Sequence, residues 1–145
     1  MKHQVHSVLN KQIANWTVLH MKLHNYHWNV KGPHFFTLHA KFEELYNEAA
    51  AHIDELAERV LMLNGQPIAT LGECLRDASV EEASGIETTE QMVETLIDDF
   101  QTLVDELREG IKTAEQADDE ATADMLLSIQ RSLEKHLWML KAFLS

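Results

Sequence analysis

Apolar residues recur three and four positions apart along four stretches of the chain, with less regular sequence between the second and third. Val5, Val8, Leu9, Ile13, Trp16, Leu19, Leu23, Tyr26 and Val30 form the first stripe and predict a helix from about residue 5 to 30. Gly32-Pro33 ends it. Thr37 is placed to cap a second helix whose stripe is Phe42, Leu45, Ala49, Ile53, Leu56, Val60 and Leu63, stopped by Asn64-Gly65 and Pro67. Residues 66 to 88 carry no long period, though "TLGECL" and "SVEEA" can each make a turn or two of helix inside a crossover. "TTEQ" at 88 to 91 has the form of a capping box. It opens a third helix, marked by Met92, Val93, Leu96, Ile97, Phe100, Leu103, Val104, Leu107 and Ile111. The acidic "EQADDEATAD" separates that helix from a fourth, carried by Leu126, Ile129, Leu133, Leu137, Leu140 and Leu144. The pattern predicts an all-α, four-helix bundle with one long connection, containing a short helix, between helices 2 and 3.

Composition agrees and narrows the picture. The chain has 145 residues, 45% of them hydrophobic and 25% charged, with five Gly and two Pro, which suits a single folded helical domain spanning residues 1–145. The N-terminus lacks the apolar core of a secretory signal, and no stretch approaches the roughly 18 apolar residues of a membrane span, so a cytoplasmic location is expected. Cys74 stands alone and rules out an intrachain disulfide framework.

The charge is distributed unevenly. The formal net charge is −12, yet residues 1 to 41 hold five Lys and no acid, and seven of the nine His fall in the first 39 residues. All 24 acids lie further on, where a chain of this sign attracts cations and repels nucleic acid.

Candidate chemistry concentrates on the second helix. His39 and Glu43 are four residues apart, and so are Asp54 and Glu58, so each pair places two donors on one helical face. Within one chain the pairs cannot meet, because the rise from His39 to Asp54 is roughly 22 Å. Counted from His39 at about 100° per residue, the four lie at roughly 0°, 40°, 60° and 100°, whereas the apolar stripe centres near 270°. The ligand face therefore points away from the core. His39 and Glu58, and likewise Glu43 and Asp54, lie symmetrically about a point between residues 48 and 49. A two-fold axis there would lay each pair against the other pair of a second copy, with Ala49-Ala50-Ala51 small enough for the helices to approach, and would form two sites per dimer. Imidazoles and carboxylates together suit Fe(II), and the carboxylates also stabilise Fe(III).

"HWNVKGPHFFTLHAKFE" at 27 to 43 and "IDELAERVLMLNGQP" at 53 to 67 resemble the two motifs of the Dps mini-ferritins, and the helical layout with "DMLLSI" and "LEKHLWMLKAFL" extends the likeness over nearly the whole chain. The resemblance implies a ferritin-like four-helix bundle assembled as a hollow twelve-subunit shell. Such shells oxidise Fe(II), preferably with hydrogen peroxide, store the ferric mineral inside, and so protect against oxidative stress. By position it implies that His27, His39 and Glu43 from one chain, with Asp54 and Glu58 from its two-fold mate, ligate the di-iron ferroxidase centre, Glu58 bridging. It places Trp28 and Trp138 near the centre as one-electron reservoirs, Glu44 and Glu48 at mineral nucleation, and Asp119 and Asp124 at a pore. Two positions depart from the family pattern. Glu43 stands where Asp is frequent, which bears on the second iron, and Ala40 stands where Glu is common.

Simpler roles are expected elsewhere. His20 and His24 share metal-compatible spacing with His27 but are expected to pack or face solvent; His34 and His52 fall off the ligand face; Arg59 should make a structural ion pair. The competing function is a DNA-binding architectural protein with little ferroxidase role. Only Lys2 and Lys11 precede Trp16 among the basic residues, and with the negative charge this predicts little DNA affinity. A conventional ferritin would need core-facing Glu-x-x-His motifs, and the sequence has none.

Overall fold

The computed structural model describes residues 2–145 and contains five helices: α1 Lys2–Asn29, α2 Phe35–Met62, α3 Leu71–Asp77, α4 Thr89–Gln116 and α5 Glu120–Leu144. The expected bundle is present, with the short helix α3 inside the connection between the second and third long helices. α1 packs along α2, α4 along α5, and α3 rests on α1. The periodic residues converge on one core in which Leu19, Leu23, Tyr26, Phe42, Leu56, Phe100, Leu107 and Leu126 are fully buried. Among the described residues no helix is long and apolar enough to cross a membrane.

The capping box forms as expected, Thr88 accepting from the Gln91 amide while the Gln91 side chain accepts from the Thr88 amide. Three boundaries differ from expectation. α2 begins at Phe35 rather than after a Thr37 cap, because Gly32 at φ 101° reverses the chain early enough for Gly32 and His34 carbonyls to accept from the Phe35 and Leu38 amides. "TLGECL" does become α3, capped by Thr70, but "SVEEA" forms no helix. Its backbone bonds to α1 side chains instead: the Ser79 amide donates to Asn15 Oδ1, and the Glu81 carbonyl accepts from Lys22 Nζ. Finally, α4 and α5 extend into the acidic stretch, so that only Ala117–Asp119 separate them, with Asp118 in the left-handed region at φ 56°.

These contacts explain why α1 buries polar residues. With α2 and α4 on its core side and the crossover on its outer side, Gln12, Asn15 and Lys22 are all enclosed. Asn15 donates to Glu106 Oε1 at 2.7 Å, and Ser79 donates to the other oxygen of the same carboxylate. Asn15 and Lys22, which pin the crossover, are thereby paired as burial requires, whereas Gln12 Oε1 is buried without a hydrogen-bond partner.

Candidate metal centre

α1 and α2 form a hairpin, and its mouth positions two histidines. The last carbonyls of a helix lack intrahelical partners. Near the end of α1, the His27 carbonyl accepts from His39 Nδ1 at 2.7 Å, and the His39 carbonyl accepts from His27 Nδ1, also at 2.7 Å. The rings stack at 3.7 Å with planes 14° apart. A carbonyl can only accept, so both Nδ1 atoms carry hydrogen, and each neutral ring is left with its lone pair on Nε2. This is how metal-binding imidazoles are held in other sites, by a backbone acceptor behind the ring that fixes tautomer and orientation.

Glu43 sits one turn beyond His39 and is exposed, its Oε1 3.8 Å from His27 Nε2. That gap is too long for a hydrogen bond. It matches the roughly 3–4 Å separating two ligands of one ion when each bond is about 2.1 Å. His27 Nε2 and Glu43 are thus spaced as two ligands of one divalent ion would be. Asp54 and Glu58 lie further along α2, both exposed, with no hydrogen bond or ion pair among the described residues. Indeed, among those residues no three His, Cys, Asp or Glu side chains of one chain come together to hold a metal. One chain stacks His27 on His39 and sets Glu43 near His27 Nε2, short of a complete three-ligand cluster, and leaves Asp54 and Glu58 apart.

The remaining candidates are more varied. Glu48 accepts from His136 Nε2 at 2.6 Å, while Lys41 Nζ lies 3.1 Å from His136 Nδ1. As lysine only donates, His136 receives at Nδ1 and donates at Nε2. That bond from His136 holds the Glu48 carboxyl below its ordinary pKa despite partial burial. Glu44 pairs with Lys41 at 2.7 Å. Asp119 is the N-cap of α5: it accepts from the amide and hydroxyl of Thr122, and Arg59 Nη2 donates to it at 3.0 Å. Burial raises its pKa, but these donors outweigh it and the net shift is downward. Asp124 is exposed.

Trp28 and Trp138 are 64% and 68% exposed, and Trp28 touches His24, with ring centroids 5.3 Å apart. The aromatic side chain against His27 is Tyr46, edge-on at 5.3 Å. Tyr46 is legible in the sequence only through its place three residues after Glu43 and seven after His39, which puts it on the same face of α2.

Helical bundle, crossover and paired imidazoles together define a ferritin-like protein, and a profile of the ferritin-like domain matches residues 7–145. Known proteins narrow this further. The chain is 60% identical to General stress protein 20U of Bacillus subtilis over 144 residues, 99% of each chain. It is 61% identical to the DNA protection during starvation protein of Brevibacillus brevis, covering 94% of this chain and 92% of that one. It superimposes on the crystal structure of a Dps protein from Bacillus brevis with a TM-score of 0.98 at 58% identity, covering 99% of this chain and 97% of that one. For Dps from Staphylococcus aureus the TM-score is 0.96 at 52% identity, covering 97% and 95%. The chain belongs to the Dps family, whose members serve in iron storage and protection under stress.

Proposed function

We propose that this protein is a cytoplasmic ferroxidase and iron store. Its sites are completed across a two-fold interface, with His27, His39 and Glu43 from one chain and Asp54 and Glu58 from the other, within a homo-oligomer of twelve subunits. The observation that carries the reading is the reciprocal pair of hydrogen bonds that leaves an Nε2 lone pair free on both His27 and His39, with Glu43 close to His27 Nε2.

The substrates are Fe(II) and hydrogen peroxide. Two Fe(II) ions each give one electron, the O–O bond breaks, and two protons complete two waters, so no hydroxyl radical leaves the site. Glu58 would help hold the irons, and the three carboxylates would offset the charge gained on forming Fe(III). The inner-surface carboxylates Glu44 and Glu48 then offer the ferric product anionic anchoring points. Asp124, exposed at the start of α5, is freer to line a pore than Asp119, whose oxygens are engaged in capping.

Anaerobic loading with Fe(II), followed by one peroxide per two irons, should give complete ferric absorbance and no spin-trapped hydroxyl radical. Ferric formation no faster than in protein-free buffer would overturn the reading. The negative charge sets a second expectation. At about 150 mM salt a gel-shift assay should show no complex with duplex DNA, because phosphate contacts need clustered cations. Tight binding there would favour the architectural role instead.

A further inference from the structure

We propose that His20 and His24 form a second site for a divalent transition-metal ion of the Zn(II) class, separate from the His27–His39 centre. The two residues are one turn apart on α1, and their ring centroids are 4.6 Å apart with planes at 67°. An ion bound at about 2.1 Å sits roughly 3.2 Å from each imidazole centre, so two imidazoles at 90–110° around it have centroids about 4.5–5.2 Å apart. The observed separation falls inside that range without any backbone movement.

Both rings are prepared for a metal. His24 Nδ1 lies 2.7 Å from the His20 carbonyl and must donate to it, leaving the Nε2 lone pair of the neutral ring free. Tyr46 stacks on the His24 face at 3.7 Å with planes 18° apart and fixes the ring from the side. No hydrogen bond or ion pair engages the His20 nitrogens among the described residues, and the broad final torsion of a histidine lets that ring turn its lone pair toward the His24 Nε2. Burial, then the neighbouring His24, lowers the His20 pKa, which keeps its imidazole neutral and ligand-competent at neutral pH. Both rings are only half-buried, so an ion with bound water can reach them.

The donor set also determines what binds. Two neutral imidazoles with no third His, Cys, Asp or Glu alongside favour late divalent ions over Mg(II) or Ca(II), and provide no negative charge to retain Fe(III). An ion here therefore exchanges with solvent, with waters in its remaining positions. Tyr46, stacked on His24 and edge-on to His27, forms a wall shared by the two centres.

The test uses assembled protein carrying His27→Ala/His39→Ala/Asp54→Ala/Glu58→Ala, which keeps only Glu43 of the proposed iron ligands, so its outcome does not depend on the ferroxidase reading. Calorimetric titration with Zn(II) should show one equivalent per chain that is lost, or weakened at least about tenfold, on adding His20→Gln. His24→Phe, which keeps an aromatic ring against Tyr46, should have the same effect. Zinc-edge anomalous diffraction should place the ion about 2.1 Å from both rings. Identical isotherms with and without His20→Gln, or an anomalous peak touching only one of the two rings, would overturn the proposal. If ferric formation fails in the wild type while this zinc equivalent persists, the ferroxidase reading falls alone.

Discussion

Replacing Asp54 and Glu58 by alanine should slow peroxide-driven ferric formation by about 100-fold or more, since removal of mere supporting partners of metal ligands already costs about 10–100-fold. The pair can be deleted without disturbing the core, because both side chains are exposed and engage no hydrogen bond or ion pair among the described residues. A variant with His27→Ala and His39→Ala should be similarly inactive, although it keeps every carboxylate. The decisive experiment mixes the two inactive variants during assembly. In a mixed dimer, one site inherits both defects and the other inherits neither, so half its sites work. Random pairing makes half the dimers mixed, and about one quarter of wild-type activity should return. A site built within one chain predicts no recovery, and that result would sink the shared-site reading. Stopped-flow ferric absorbance distinguishes the outcomes.

The second large effect concerns stability. Lys22, with its side chain 3% exposed, donates to Asp99 Oδ2 at 2.7 Å and to the Glu81 carbonyl at 2.8 Å, tying α1 to both α4 and the crossover. Lys22→Ala strands a nearly buried carboxylate and an acceptor carbonyl, and breaking such a pair on one side costs about 3–5 kcal/mol. At about 2–4 °C per kcal/mol for a chain of this size, the thermal transition should fall by on the order of 10 °C. Lys22→Met with Asp99→Leu should recover most of the loss, because well-packed apolar replacements often match a buried ion pair. Calorimetry of both variants is the check, and a wild-type transition in Lys22→Ala would refute the anchoring role. The pair has an unusual pH signature. Burial outweighs the attraction of Lys22 and raises the Asp99 pKa. Between the ordinary carboxyl pKa and this raised value, the folded state binds more protons than the unfolded chain. Asp99 therefore adds stability as pH falls through that window, the reverse of a depressed carboxylate.

Helix periodicity depends on neighbours three and four residues apart, and that local information was sufficient for the four long helices, the Thr88 capping box and the short helix in the crossover. The same period showed that His39, Glu43, Asp54 and Glu58 share a face of α2 that the core does not use, because a ligand face and a core face are both angular properties of one helix. Other features depend on groups distant in sequence. The sequence "SVEEA" has helical propensity, but Asn15 and Lys22, some 60 residues earlier, hold its backbone in another conformation. Asp119 looks like one acid among several until Arg59 and Thr122 are placed around it. The spacing of His27 and His39 alone leaves their tautomers undetermined. The α1–α2 hairpin brings each ring onto the other's carbonyl, and that contact turns two histidines of the sequence into two oriented donors.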